Sequence, residues 1–347
     1  MTELYEEISQ QPLVLSGLRK YYASPGAIPA KSLRSLVPGW PPTVVFTGMG
    51  SSLFAAYPAQ AYLTEQGVRS LVWETAELVH HHLKVVRRDT LLVVVSQSGE
   101  TAEVLRLLDS LPTKARLLAV TNVEASPLAK RASLLLPLMA GDQVAVSTKT
   151  YTCSVAVLMY LAFAIAGHPP VPLTREVMRA VEAEEQILDR HEDLIPPILE
   201  FFNSPPYVAL MSRGADLATA YQGALMLKEV ARLAAEPISA AQFRHGPMEI
   251  ISPHHRYVVF ARQGKTGKLL IKLAHDIRKA NGKVLLLTDM AFDEVMNVHR
   301  VRIVPLKLGL GTLVDNLYMQ LLAHDFALEA GLEPGKFEIA KNVIREE

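Results

Sequence analysis

The sequence has a single cysteine, Cys153, in 347 residues, which excludes an intrachain disulfide and a thiolate metal cluster. Net charge is missing too. Thirty-five lysines and arginines balance 35 aspartates and glutamates, so no overall field draws the chain to nucleic acid or an acidic membrane surface. The longest apolar run, Cys153 to Gly167, covers 15 residues, where a bilayer needs about 20. Lys149 and His168 flank it, and the expectation is a buried helix. The start, MTELYEEISQ, is acidic where a secretory leader is basic and then apolar. These absences lead us to expect a cytoplasmic protein with neither nucleic acid nor membrane as partner. Apolar residues are plentiful: they make up half the chain, against a fifth charged. At roughly 150 residues per domain, the length suits two domains with a core each, and disorder is excluded.

Three segments of the first half recur, in order, in the second. Val44 to Ser51 (VVFTGMGS) matches Val208 to Ala215 (VALMSRGA), Val93 to Thr101 (VVVSQSGET) matches Val258 to Thr266 (VVFARQGKT), and Leu118 to Asn122 (LAVTN) matches Leu285 to Asp289 (LLLTD). The offsets are 164, 165 and 167 residues, read from Gly50, Gly99 and Thr121. Such slow drift means two copies of one domain. Each segment is a non-alternating apolar run that ends in Gly, Ser, Thr or Asn and leads into helical spacing, such as Ala102, Leu105 and Leu108 or Leu269, Leu273 and Ile277. Strands of that kind are buried on both faces of parallel sheets covered by helices. The expected class is α/β, two tandem α/β/α sandwiches. Residues 1–40 read as a helical arm and loop, 41–195 as the first domain, 196–330 as the second and 331–347 as a tail. The boundary falls between a helix from Arg175 to Arg190 and a strand at Val208, where Pro196, Pro197, Pro205 and Pro206 cluster.

Strand Thr90 to Val95 runs into Ser96, Gln97, Ser98, Gly99, Glu100 and Thr101 and then into a helix. Open parallel sheets bind ligands beyond the carboxyl ends of their strands, and a helix start offers unpaired amides and a positive dipole end. Three hydroxyls, a carboxamide and a glycine in six residues fit a phosphate monoester. Capping by Ser98 or Thr101 is the plain alternative and uses one hydroxyl. Ser51 and Ser52, after Gly48-Met49-Gly50, end the neighbouring strand and reach toward the same anion. Ser147, Thr148 and Lys149 either close the sugar pocket or cap the apolar helix. The second copy reads Ala261, Arg262, Gln263, Gly264, Lys265 and Thr266. The hydroxyls matching Ser96 and Ser98 are gone, so one cradle is expected; Arg262 and Lys265 read as exposed loop charges or as ligands for some other anion.

Acid and base candidates do not stand out by spacing. Glu229, on the amphipathic run Leu225 to Leu233, reads as a solvated surface group. His245 lies at a Gly246-Pro247 turn, and Lys341 lies six residues before the last residue of the sequence. Ser96-Gln97-Ser98-Gly99-Glu100-Thr101, Ser147-Thr148-Lys149, Leu227-Lys228-Glu229, Phe243-Arg244-His245-Gly246-Pro247 and Ala340-Lys341 together resemble the sugar isomerase (SIS) family, from about residue 40 to the end. The likeness is greatest to the isomerase half of glucosamine-6-phosphate synthase and to stand-alone glucosamine-6-phosphate deaminases. Glu229 to His245 keeps that family's interval of 16 residues. The resemblance implies a flavodoxin-like sheet in each domain and a sugar-phosphate site at Ser51, Ser52, Ser96, Gln97, Ser98, Thr101 and Ser147. It implies Glu229 as the base between C1 and C2, His245 as the ring-opening residue, often supplied across a homodimer, and Lys341 as the Schiff-base lysine. Met226 departs from it, standing where the synthase has a second lysine.

The synthase draws nitrogen from a glutaminase domain that begins with cysteine after Met. Here residue 2 is Thr and about 40 residues precede the first strand. The expected reaction is therefore conversion of glucosamine 6-phosphate to fructose 6-phosphate and ammonia, without metal or redox cofactor. The alternatives are an isomerase, deglycase or deaminase for another phosphorylated amino sugar, such as galactosamine 6-phosphate or a fructosyl-amine 6-phosphate, or a non-catalytic sugar-phosphate sensor. A metal site at His80, His81 and His82 or at His254 and His255 is disfavoured, because consecutive helical side chains diverge by about 100° and no carboxylate cluster accompanies them.

Overall fold

A computed structural model of the chain describes residues 2–112, 115–143 and 146–339. Among the described residues, ten strands form two separate five-stranded parallel sheets. The first contains β1 (Thr43–Gly48), β2 (Ser70–Glu74), β3 (Thr90–Val95), β4 (Leu117–Thr121) and β5 (Leu134–Pro137), in the order β2-β1-β3-β4-β5. The second contains β6 (Val208–Ser212), β7 (Ala235–Ser239), β8 (Arg256–Ala261), β9 (Lys283–Thr288) and β10 (Val298–Arg302), in the order β10-β9-β8-β6-β7. Read from the other edge, that is the same order strand for strand, so the repeat in the sequence is a repeat of topology. The order 2-1-3-4-5 is the flavodoxin-like winding, whose direction reverses between the first and third strands.

The central strands are buried on both faces, as their apolar runs require. All six residues of β3 are buried. Leu92 and Val94 join Val45, Val104, Leu107 and Leu117 in one cluster, while Leu91, Val93 and Val95 are 1% exposed or less. In the second sheet, Tyr257, Val259 and Ala261 of β8 meet Leu270, Leu273 and Ile277 of the Gly267–Lys279 helix. The Cys153 to Gly167 run lies in the Lys149–Ala166 helix. Among the described residues it is the one helix long and apolar enough to cross a membrane, and 89% of it is buried.

The chain clusters into two compact units. The first comprises residues 10–181 with residues 337–339 of the described tail; the second comprises residues 2–9 and 182–336. The division lies within the Val171–Asp189 helix, and the first helix, Glu3–Ser9, belongs with the carboxyl-terminal sheet. A polar chain fastens that helix. Thr2 Oγ1 meets His324 Nε2 at 2.8 Å, His324 Nδ1 meets Asp325 Oδ1 at 2.6 Å, and His191 Nε2 meets Asp325 Oδ2 at 2.8 Å. Tyr5 packs against both histidine rings. Burial raises the Asp325 carboxyl, but the bonds from His191 and His324 outweigh it and hold the group down at about 2.

Candidate functional site

In the first unit β3 pairs with β1, Thr47 opposite Val94, so both strands end at one edge of the sheet at its switch point. Two turns meet there. The β1 turn passes through Gly50 at φ +50° into the short Ser51–Phe54 helix. Gly48 packs closely beneath it, since a Cβ there would stand 3.0 Å from both Val95 O and Leu53 N. The β3 turn runs from Ser96 to Thr101 and enters the Ala102–Ser110 helix.

The second turn is built from its own hydroxyls. Gly99 N donates to Ser96 Oγ at 3.0 Å, and Glu100 N donates to Ser98 Oγ at 3.3 Å. A hydroxyl that accepts from the backbone still has a hydrogen to donate. These serines therefore fold the loop and keep a donor each for an anion, a division of labour that composition alone could not give. Thr101 occupies the cap position of the helix, but its side chain makes no capping bond. Capping does not account for it.

β4 clamps the loop from beneath. Gln97 O accepts from Thr121 Oγ1 and from Asn122 N, each at 3.1 Å, and Leu128 N donates to Gly99 O at 3.2 Å. Gly99 has φ +67°, and a Cβ on it would run into Ser126 Oγ and stand 2.7 Å from Ser126 Cβ. We expect Gly99→Ala to open this loop and weaken the binding of a phosphate monoester at least tenfold in a calorimetric titration, with the far-ultraviolet dichroism unchanged.

The Asn122 side chain continues the clamp, donating to Gly141 O at 2.8 Å and accepting from Ala140 N at 2.9 Å. Just beyond, Gln143 Oε1 accepts from Thr150 N at 3.0 Å and Thr148 N at 3.3 Å, so a carboxamide caps the Lys149–Ala166 helix. Thr148, at the cap position, is left with a fully buried hydroxyl lacking a partner. Lys149 is 3% exposed and bonded to Gln10 Oε1 at 2.7 Å and Asp142 O at 2.5 Å, which fixes it within the first unit. Ser147 is half-buried beside this cap.

The equivalent loop of the second unit is occupied by the protein itself. Arg262, expected as an exposed charge or an anion ligand, is 7% exposed. Its guanidinium donates to Asp315 Oδ1 at 2.6 Å, Asp315 Oδ2 at 3.0 Å and Val304 O at 2.7 Å. Gln263 N, a loop amide of the kind an anion would use, donates to Asp289 Oδ1 at 2.7 Å. Burial raises Asp216 to about 7; Arg262 opposes this and Asp315 and Asp289 add to it. The charge of this guanidinium is taken up by the protein's own carboxyls and is not offered to a phosphate. The loss of the cradle follows from these charges as well as from missing hydroxyls.

Glu229 closes the Leu217–Glu229 helix, and Leu233 N donates back to Leu227 O as the chain leaves through Arg232 at φ +54°. It is half-buried, not the solvated surface group its spacing suggested. Burial pushes its carboxyl up to about 7, with Lys228 pulling the other way. His245 is exposed on the turn after Ala240–Phe243, and its amide donates to Gln242 O at 2.9 Å. Lys341 lies outside the described residues. Of the histidines weighed for a metal, His82 packs on Trp73 with ring centroids 4.0 Å apart and His255 Nδ1 lies 3.0 Å from Ile250 O.

The SIS domain family model matches residues 41–166 and 202–330, one stretch over each sheet. The chain belongs to the SIS domain family. It is 30% identical over 273 residues to a glutamine–fructose-6-phosphate aminotransferase [isomerizing] of Thermus thermophilus, a match that covers 75% of this chain and 44% of that protein. The chain thus spans about half the length of the curated relatives it matches. Among solved structures, it is similar to the C-terminal domain of glucosamine-fructose-6-phosphate aminotransferase from Francisella tularensis, with a TM-score of 0.88, 21% identity and coverage of 97% and 98% of the two chains. It is also similar to glucosamine-6-phosphate deaminase from Thermotoga maritima, with a TM-score of 0.76, 20% identity and coverage of 99% and 100%.

Proposed function

We propose that the chain is an aldose–ketose isomerase acting as a deaminase, which converts glucosamine 6-phosphate and water to fructose 6-phosphate and ammonia. The observation that carries this reading is the Ser96–Thr101 loop at the switch point, its serines already satisfied as acceptors and poised to donate. Hydrogen bonds to a charged oxygen contribute about 1.5–3 kcal/mol each. Ser51, Ser52, Ser96, Gln97, Ser98, Thr101 and Ser147 hold the phosphate and sugar. His245 opens the ring. Glu229 then takes the proton from C2 and returns it to C1, leaving a C2 imine that water cleaves to the ketone and ammonia. A base held near 7 suits this, because one group must accept and release the same proton near neutral pH. The exposure of His245 fits a residue that works in a neighbouring copy of a homodimer. Lys341 serves as the Schiff-base lysine toward the open ketose. Met226 is 1% exposed and brings no second cation to the Glu229 helix.

Ammonia release, measured against glucosamine 6-phosphate, galactosamine 6-phosphate and a fructosyl-amine 6-phosphate, tests the assignment. The expected result is turnover of the first at the highest kcat/KM. Saturable binding of all three with no ammonia from any would instead indicate a sensor.

A further inference from the structure

The amino-terminal edge of the first sheet, away from the cradle, carries a feature that the proposed reaction does not use. The turn entering β3, the Ser35–Pro38 segment and, just before β4, Pro112, Ala115 and Arg116 line a half-open cavity of about 700 Å³. Small-molecule sites commonly measure 300–1,000 Å³. Among the described residues its lining includes three arginines, Arg87, Arg88 and Arg116, and no aspartate or glutamate. Leu36 and Val37, 6% and 5% exposed, form an apolar wall.

Hydrogen bonds tie the three segments in place. Thr90, 4% exposed, staples the β3 turn, its Oγ1 donating to Val85 O at 3.1 Å and accepting from Arg87 N at 3.0 Å. Arg116 donates to Ser35 O at 2.9 Å, and Arg131 donates to Pro112 O at 2.9 Å and Ala115 O at 3.2 Å. The framework thus gathers three exposed arginines of like charge around one concavity, a local positive field that attracts an anion. Guanidinium groups match phosphate oxygens in pairs, and a cavity of this size exceeds a single phosphate.

We propose that this cavity binds a small phosphorylated molecule of the nucleoside diphosphate class, its phosphates on the arginines and its base or sugar against Leu36 and Val37. The site is independent of the sugar-phosphate reading. Calorimetric titration of the full chain with adenosine diphosphate and with inorganic tripolyphosphate tests it, using Arg88→Gln, Arg87→Gln/Arg88→Gln and Gly99→Ala variants. Arg88 is exposed and makes no hydrogen bond that supports the turn, so its replacement leaves the fold intact as a control. The expected result is adenosine diphosphate binding that weakens at least tenfold in the double variant, weakens further with added salt and is unchanged in Gly99→Ala. Binding that survives the double variant, or is abolished by Gly99→Ala, overturns the site, as does wild-type protein that takes up neither probe. Tripolyphosphate binding as tight as the nucleotide overturns the role of the apolar wall.

Discussion

Glu229→Gln is expected to lower kcat/KM for glucosamine 6-phosphate by about 10²–10⁴-fold, the usual worth of a positioned general base, while leaving sugar-phosphate binding within a factor of a few. Gln has nearly the same shape and cannot take the C2 proton. The wild-type pH profile follows from the same carboxyl. A base must be ionised, so kcat/KM should rise with pH up to about 7, where burial places Glu229, and then level off. Stability runs the other way. A carboxyl whose pKa is raised by folding binds more protons in the native state than in the unfolded chain, between its ordinary value and about 7. Across that window the wild-type protein loses stability as pH rises, and Glu229→Gln, lacking that proton, should lose less, the slope that remains coming from other buried carboxyls such as Asp216, also raised to about 7. Thermal melts of the two proteins at acid and mildly alkaline pH measure the difference.

Asp315→Ala is expected to have the largest effect on stability. The Arg262–Asp315 pair lies at 6% and 0% side-chain exposure, with contacts of 2.6 and 3.0 Å. Removing one member of a buried pair costs roughly 3–5 kcal/mol; here Asp216 and Asp289 remain near the guanidinium and compensate it in part, which sets the expected loss at the lower end. The Val304 and Gly311 carbonyls that also accept from Arg262 do not neutralise it. Gly311 is tied to the same feature, because a Cβ on it would collide with the guanidinium. Denaturant unfolding of the second unit, followed by its own probe, should register the loss, whereas sugar-phosphate binding by the first unit's loop should persist below the new midpoint.

The central strands were legible in the sequence because burial on both faces leaves an unbroken apolar signature; β1, β3, β4, β6, β8 and β9 all carry it. Three of the four edge strands were not, β5 (LLLP) being the apolar exception. β2 reads SLVWE with only Ser70 buried, β7 reads AEPIS with a proline that an edge strand tolerates, and β10 reads VHRVR with one buried residue. A strand with one neighbour and partial solvent exposure needs no hydrophobic run. In the cradle the hydroxyl-rich loop was visible, but its supports were not: the hold of Thr121 and Asn122 on Gln97 O joins residues more than twenty positions apart. Arg262 was misread for a related reason. Its partner Asp315 lies 53 residues away, so the sequence shows an arginine on a loop where the structure has a buried ion pair. Glu229 shows the limit of amphipathic spacing, which assigned it to solvent, while the fold buries enough of it to change its acidity.

The most direct measurement is proton nuclear magnetic resonance of glucosamine 6-phosphate incubated with the protein in deuterated water. The C2 proton signal should disappear with the protein while ammonia accumulates, and both changes should stop with Glu229→Gln. A C2 signal that persists while the sugar phosphate is bound, or that washes out equally with Glu229→Gln, contradicts the proposed reaction.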